Sequence, residues 1–178
     1  NILFMESVHA KSYSTIFSTL NTNTEIEYIF HWVNTNEYLQ FKAKKIKEIY
    51  EGDDHEKRKI ASVMLESFLF YSGFYNPLRY LGNNKMASVA EIIKLIIKDE
   101  SVHGTYIGAK FQMAFNESDN ERQEELRHFT YDLLYELYEN ECRYTEELYD
   151  ELGVTEDVKV FLRYNANKSL ANLGFEPL

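Results

Sequence analysis

Glu100-Ser-Val-His103 is the stretch that decides the fold of this chain, because the same four residues occur earlier as Glu6-Ser-Val-His9. Residues three apart lie on one face of a helix, so each copy directs a carboxylate and an imidazole towards the same point. A lone Glu66 lies between the two copies, in the otherwise apolar run Val63-Met-Leu-Glu-Ser-Phe-Leu-Phe70. Carboxylates and imidazoles gathered in this way indicate a metal site.

The two Glu-x-x-His pairs predict a particular architecture. In ferritin-like four-helix bundles, two such pairs and single carboxylates from two other helices hold a dinuclear iron or manganese centre. This chain supplies three of those four contributions. Its seven glycines and two prolines leave long segments between them, and these segments carry helical rather than alternating periodicity. We therefore predict an all-α, ferritin-like helical bundle with a dinuclear metal site in its core.

A third copy of the pattern, Glu125-Leu-Arg-His128, requires a different interpretation. Its surroundings are charged and contain oppositely charged pairs four residues apart, which is typical of a solvated helix face. Glu100 and His103 instead follow Ile92-Ile-Lys-Leu-Ile-Ile97, on a helix that is apolar around most of its girth. A charge in that position needs a partner or a metal. We expect Glu125 and His128 to be exposed and to bind no metal.

Composition limits the class of protein. At 178 residues, 44% hydrophobic and 27% charged, the chain suits one globular domain spanning residues 1–178. No stretch resembles a membrane span or a signal peptide. The formal net charge of -10 argues against nucleic acid as a partner, since phosphate binding needs clustered Lys and Arg. The single cysteine, Cys142, fits a reducing cytoplasm, and its acidic neighbours would raise its pKa and disfavour a catalytic thiol.

Turn and capping signals divide the chain into helices. The first predicted helix runs from Asn1 to about Leu20, and a short second helix begins at the caps Asn21-Thr-Asn-Thr24; the third runs from Thr35-Asn36 to near Gly52. The fourth runs from Asp53-Asp54 to a break at Asn76-Pro77, and the fifth from a capping box, Ser88-Val-Ala-Glu91, to about Phe115. The sixth runs from Ser118-Asp119 to Gly153, and the seventh from a cap at Thr155 to Gly174.

The first helix has no capping signal before Ile2, so we expect the chain to be a fragment of a longer protein. A site of this kind needs a carboxylate from each of four helices, and only three are found here. The acids of the second and third helices lie near helix starts, where they simply complement the helix dipole: Glu25, Glu27 and Glu37. The fourth carboxylate is therefore expected upstream of Asn1.

Tyr13 lies four residues after His9, one turn further along the same helix face, and so beside the predicted metals. Apolar side chains at four-residue spacing from Glu66 and Glu100 share the faces of those carboxylates: Phe70, Phe74 and Ile96. A phenol walled by carbon beside an oxidising dinuclear centre could store a one-electron hole. The alternative is that Tyr13 is a core residue, one of 14 tyrosines.

Over essentially its whole length the chain resembles the small, radical-generating subunit of class I ribonucleotide reductase, and most closely the class Ib branch. The resemblance is strongest in Met5-Glu-Ser-Val-His-Ala-Lys-Ser-Tyr-Ser14, Leu65-Glu-Ser-Phe-Leu-Phe-Tyr-Ser-Gly-Phe74 and Ile97-Lys-Asp-Glu-Ser-Val-His-Gly-Thr-Tyr106. It implies that the metal ligands are Glu6, His9, Glu66, Glu100 and His103, that the radical forms on Tyr13, and that the apolar radical pocket consists of Phe70, Phe74 and Ile96.

The resemblance also implies a role for Asp99, which would accept a hydrogen bond from His9 and relay the radical. An Asp beside a ligand Glu on a mostly apolar helix suits such an orienting role. Trp32, the only tryptophan, does not match the radical-path position of the family and is interpreted as a packing residue. In that family the first metal carboxylate and the radical-path tryptophan would precede Asn1, and the tail that docks on the large subunit would follow Leu178.

The function implied by this resemblance is to assemble a dinuclear manganese or iron centre, to oxidise Tyr13 to a stable radical, and to pass that radical to a large catalytic subunit that reduces ribonucleotides. The substrate would not bind to this chain. The donor set suits both metals, so the choice between them stays open. The resemblance further implies a homodimer and, with manganese, a flavodoxin-like activating protein.

Two other classes of protein remain open at this stage. A ferritin-like di-metal oxidase or iron-storage protein would use the same Glu-x-x-His pairs, but would not need a tyrosine one turn beyond His9. A metal-free helical interaction protein would explain the Tyr- and Glu-rich sixth helix, but would leave three buried acids and two histidines unpaired.

Overall fold

The computed structural model describes residues 2–178, and the regular structure of that range is entirely helical. The helices are α1 (Ile2–Leu20), α2 (Asn23–Thr35), α3 (Glu37–Glu51), α4 (His55–Met64), α5 (Tyr71–Gly82), α6 (Ala87–Glu117), α7 (Asn120–Tyr149) and α8 (Thr155–Leu173). A π-helical segment, Leu65–Leu69, joins α4 to α5, and a 3-10 turn, Asp150–Leu152, follows α7. The all-α prediction is confirmed.

The main hydrophobic core lies between α4, the π segment, α6, α7 and α8. Its largest fully buried side chains include Phe68, Phe111, Leu134 and Leu162. Burial of side chains of this size is worth roughly 1.5–3 kcal/mol each, so these elements supply much of the apolar burial that stabilises the bundle. Helix α1 packs at the edge, against α6 and α2, and His9 is the one residue that it buries.

Most of the predicted helix starts are confirmed. Thr22 and Glu25 form a capping box at the start of α2, and Asn36 caps α3. Asp54 and Asp119 accept backbone N–H groups at the starts of α4 and α7. Short polar side chains satisfy the donors that a first helical turn leaves free, which is why these boundaries can be read from sequence.

Two predicted caps are wrong. Helix α6 begins at Ala87, after Met86 in a left-handed conformation, and the Glu91 carboxylate accepts from Lys94 instead of closing a capping box with Ser88. Thr155 is the first residue of α8 and not its cap, because its hydroxyl donates to the Asp150 carboxylate. In both places a competing side-chain or backbone interaction outweighs the local capping preference.

The predicted break at Asn76-Pro77 is also wrong, because α5 continues through Pro77 to Gly82. An internal proline costs a helix about 3 kcal/mol, so packing of α5 against α6 and α8 must offset that loss. The actual interruption comes earlier, at the π segment, where four consecutive residues from Glu66 to Leu69 are buried. The sequence analysis did not predict this segment.

Two glycines of α6 let other elements approach its backbone closely. A Cβ atom at Gly104 would clash with Ser67 Oγ of the π segment, and one at Gly108 would clash with the backbone of Asn172 on α8. Asn172 Nδ2 in turn donates to Ser67 Oγ over 2.9 Å. The π segment is therefore held against α6 and α8 on this side.

No helix within residues 2–178 combines the length and the apolar character that crossing a membrane would require.

Candidate metal centre

The structure brings together the five side chains predicted to bind metal. Helix α1 supplies Glu6 and His9, the π segment supplies Glu66, and α6 supplies Glu100 and His103. All except Glu6 are buried, and the two imidazole ring centroids are 6.2 Å apart. The single buried residue of α1, His9, belongs to this cluster of five side chains, because α1 packs against the bundle here.

Both imidazoles direct Nδ1 at carboxylate oxygens. His103 Nδ1 lies 3.3 Å from Glu6 Oε1, 3.4 Å from Glu100 Oε2 and 3.6 Å from Glu66 Oε2. His9 Nδ1 lies 3.0 Å from Glu100 Oε1 and 3.6 Å from Glu6 Oε2. Glu6 and Glu100 therefore each place one oxygen near one histidine and the other oxygen near the second.

Five ligand-type atoms in this cluster are buried without a hydrogen-bond partner within residues 2–178. They are Glu6 Oε1, His9 Nδ1, Glu66 Oε2, Glu100 Oε2 and His103 Nδ1. Buried polar atoms are nearly always hydrogen-bonded, so a convergent group of unpartnered donors to metal needs an explanation. Ligand atoms of Glu6, Glu66, Glu100 and His103 all lie within 4.8 Å of one another, and nitrogen and oxygen donors at this spacing fit a divalent cation.

Asp99 fixes the orientation of His9. The His9 Nε2–H group donates to Asp99 Oδ2 over 3.1 Å, which leaves the lone pair of Nδ1 directed at Glu6 and Glu100. A carboxylate that holds the second ring nitrogen of a histidine in this way selects the tautomer that a metal requires. The structure thus places Asp99 where the sequence analysis expected it.

The electrostatics of the cluster favour added positive charge. The pKa of the Glu100 carboxyl is raised to about 8, chiefly by burial and further by the neighbouring carboxylates of Glu66 and Glu6. Burial also raises the pKa of Glu66. Without a cation the site holds a proton at neutral pH, and a bound cation would displace that proton.

The raised pKa of Glu100 makes the stability of the metal-free protein depend on pH. The folded chain keeps a proton that the unfolded chain releases near its usual pKa of 4.5, so the free energy of unfolding should fall as pH rises from about 4.5 to about 8. We expect thermal unfolding of the metal-free protein to show this fall, and Glu100→Gln to reduce it, because the raised pKa of Glu66 leaves a contribution of the same sign. A wild-type protein whose pH dependence over this window matches that of Glu100→Gln would contradict the prediction.

Tyr13 lies beside the cluster and belongs to a second, smaller hydrophobic core. That core contains Phe74 and Ile96 as buried members, with Tyr13 and Phe70 packed against it. Burial raises the pKa of the Tyr13 phenol to about 12, and the negative charges of Glu100 and Glu6 contribute. The apolar wall is not closed, because Tyr13, Phe70 and Phe74 also border a cavity of about 400 Å³.

Glu125 and His128, the third Glu-x-x-His copy, lie outside the metal-binding cluster. Glu125 is exposed and forms ion pairs with Lys57 and Arg122, and His128 is exposed beside Glu124. The exposure predicted for the third Glu-x-x-His copy is therefore confirmed.

Trp32 and Cys142 also lie away from the cluster. Trp32 is half-buried and stacks on Tyr144, with ring centroids 6.5 Å apart, as expected of a packing residue. The pKa of Cys142 is raised as predicted, but burial is the largest cause and its acidic neighbours contribute less.

One buried acid of the bundle is not predicted by its local sequence. Glu141 on α7 is fully buried and pairs with Lys42 on α3, with 2.7 Å between Oε1 and Nζ. Its local sequence, Glu139-Asn-Glu141, is polar and gave no sign of burial. The available signal was the helical spacing of Glu141 from the buried residues Leu134 and Leu137, which place it on the inner face of α7.

An all-α bundle that encloses paired carboxylates and histidines is characteristic of ferritin-like proteins with internal metal sites. Comparison with known proteins narrows this class. The family model for the ribonucleotide reductase small chain matches residues 1–178, and the chain belongs to that family.

Individual relatives agree with this assignment. The chain is 58% identical over 178 residues to the ribonucleoside-diphosphate reductase subunit beta of Mycobacterium leprae, covering 100% of this chain and 55% of the relative. It is 53% identical to the ribonucleoside-diphosphate reductase 2 subunit beta of Escherichia coli, covering 100% and 56%. The chain thus spans little more than half the length of these relatives.

Solved structures share the fold. The crystal structure of dimanganese(II)-NrdF from Streptococcus sanguinis superposes with a TM-score of 0.96 at 70% identity, over 98% of this chain and 62% of that one. The R2 subunit of Clostridium botulinum ribonucleotide reductase superposes with a TM-score of 0.81 at 26% identity, over 98% and 58%. The ferritin-like fold prediction is confirmed.

Proposed function

We propose that the protein is the radical-generating small subunit of a class I ribonucleotide reductase, of the class Ib type. The observation that carries the proposal is the convergence of five buried, unpartnered donor atoms from α1, the π segment and α6, with Tyr13 one helical turn beyond His9. Membership of the small-chain family and the likeness to a dimanganese structure support it.

The ligands in this proposal are Glu6, His9, Glu66, Glu100 and His103. Glu6 and Glu100 lie between the two histidines and Glu66 lies beside His103, and together these side chains would hold the metal ions. Asp99 would keep His9 in the required tautomer.

A dinuclear manganese or iron centre, if bound here and first oxidised, would supply a one-electron acceptor for a neighbouring phenol. Tyr13 is the phenol that this chain offers. With its pKa raised to about 12, Tyr13 is protonated at neutral pH, so removal of an electron is accompanied by loss of the hydroxyl proton and leaves a neutral radical. Phe70, Phe74 and Ile96 pack in the same apolar cluster and would shield part of the ring from water and reductants, although the side of the ring that borders the cavity is not covered.

The partners follow from the same proposal. The radical would pass by way of Asp99 to a large catalytic subunit, where ribonucleotides are reduced to deoxyribonucleotides, and no nucleotide would bind to this chain. The small subunit would act as a homodimer in the cytoplasm. If the metal is manganese, a flavodoxin-like protein would serve as the activating protein.

Metal analysis and electron paramagnetic resonance of the whole protein test the proposal. We expect two manganese or iron ions per chain and, after oxidation, a tyrosyl radical signal. Two ions without a tyrosyl radical would favour a ferritin-like oxidase or an iron-storage protein. A protein that binds no metal under any loading condition would overturn the proposal and favour an interaction protein.

A further inference from the structure

The buried ion pair between Lys42 and Glu141 connects three elements of the bundle. Lys42 Nζ lies 2.7 Å from Glu141 Oε1, and the two side chains are 14% and 0% exposed. The same ammonium group donates to the carbonyl oxygen of Leu69 over 3.3 Å and lies 4.7 Å from the ring centroid of Tyr144. Leu69 is the last residue of the π segment, so the pair links α3 and α7 to the segment that carries Glu66.

A requirement for stability does not account for this pair. Removing two charges from water costs several kcal/mol per ion, and apolar residues of similar size often replace a buried pair without loss of stability. Moreover, α3 and α7 are already joined by a more exposed pair, Lys45 and Glu136, with 2.6 Å between Nζ and Oε2. What the buried pair adds is the bond from Lys42 to Leu69.

The π segment needs such support because a π-helical turn is rare and occurs mostly as a single turn within an α-helix, often at a functional site. One side of the segment is held by Asn172, which donates to Ser67 Oγ, and by the close approach of Gly104. The opposite end is held by Lys42 at Leu69. Glu66 directly precedes Ser67 and lies three residues before Leu69 in the same π turn, so its carboxylate direction depends on the π geometry that these two attachments hold.

We propose that Lys42 and Glu141 form a positioning pair for the metal centre, holding the π segment so that Glu66 faces His103. Glu141 fixes the ammonium group of Lys42, and Lys42 fixes the Leu69 carbonyl. The metal-binding part of this proposal rests on the proposed function, whereas the effect on the π segment does not. Groups that orient metal ligands typically change metal affinity by about 10- to 100-fold when they are removed.

The test compares two double variants of the whole protein. Lys42→Met/Glu141→Leu removes the buried pair, and Lys45→Met/Glu136→Leu removes the exposed pair between the same two helices. Hydrogen exchange of the metal-free protein, thermal unfolding and competition titration with Mn²⁺ are measured for each. We expect the first variant to unfold within a few degrees of wild type, to exchange amides 66–70 at least about tenfold faster, and to bind Mn²⁺ about 10- to 100-fold more weakly. The second variant should match wild type in all three measurements.

Lys42→Arg separates hydrogen bonding from packing. Lys42 borders a cavity of about 480 Å³, which leaves room for a guanidinium group, so this variant should keep both the exchange rates and the Mn²⁺ affinity within about threefold of wild type.

Unchanged exchange at residues 66–70 in Lys42→Met/Glu141→Leu would overturn the proposal, as would equal losses in the two double variants. A failure of the first variant to fold would also overturn it, because the pair would then serve the fold. If wild type itself bound no Mn²⁺, the proposed function would fail, while the exchange result would still decide the role of the pair.

Discussion

Tyr13→Phe should load two metals per chain and yet give no tyrosyl radical and no support of ribonucleotide reduction. The substitution removes one hydroxyl group, which makes no hydrogen bond to the five proposed ligands, so the packing of the smaller core should persist. The variant lacks the O–H group of Tyr13, which would lose an electron and a proton when the neutral radical forms. Activity should therefore fall to background while metal content stays at the wild-type value.

Tyr71→Phe is the matched control for this prediction. Tyr71 is a buried tyrosine near Glu100, whereas Tyr13 is partly buried; the pKa of Tyr71 is likewise raised to about 12, and its ring packs edge-on against Phe74 in the same cluster. Tyr71 follows the π segment, however, and does not lie on the His9 face of α1. Electron paramagnetic resonance should show the radical in Tyr71→Phe and not in Tyr13→Phe. The reverse result would move the radical to Tyr71, and undiminished reductase activity in Tyr13→Phe would refute the assignment.

Glu100→Ala should abolish the binding of both metals. Each oxygen of Glu100 faces a different histidine, so the substitution would take a ligand from both ions and leave Glu6 as the one carboxylate near both histidines. We expect metal affinity to fall by at least about 100-fold, beyond the usual effect of removing an orienting group. Elemental analysis of the purified and reloaded variant measures this loss directly.

Glu125→Ala provides the comparison, because Glu125 occupies the same position in the third Glu-x-x-His copy. Its carboxylate pairs with Lys57 and Arg122 at the surface, so its removal should leave metal content unchanged. A loss of metal in Glu125→Ala comparable to that in Glu100→Ala would show that the local pattern, and not its surroundings, determines metal binding.

The residues of the candidate site could be predicted because each signal was local. Glu6 with His9 and Glu100 with His103 share a helix face at three-residue spacing, and Glu66 was conspicuous as one charge in an apolar run. A helix fixes the relative direction of such neighbours without reference to the rest of the fold. Sequence could therefore identify the members of the cluster, although only the structure gives the distances between elements.

The features that sequence reasoning missed depend on contacts between distant segments. Glu141 is buried because Lys42, 99 residues earlier in the chain, reaches it. The π segment depends on Lys42, Ser67 and the absence of a side chain at Gly104, and none of these shows in the apolar pattern around Glu66. Pro77 remains helical for a similar reason, since packing of α5 on two neighbours overrides a local preference.

The glycines of α6 have a consequence for how much sequence change the site tolerates. Where two side chains meet in a core, a larger one can be accommodated by a smaller partner, so volume can be exchanged between positions. At Gly108 the opposing surface is the backbone of Asn172, which has no smaller alternative. The distance between α6 and α8 near His103 is therefore fixed by a contact with backbone, and substitutions around the metal centre have to preserve that distance.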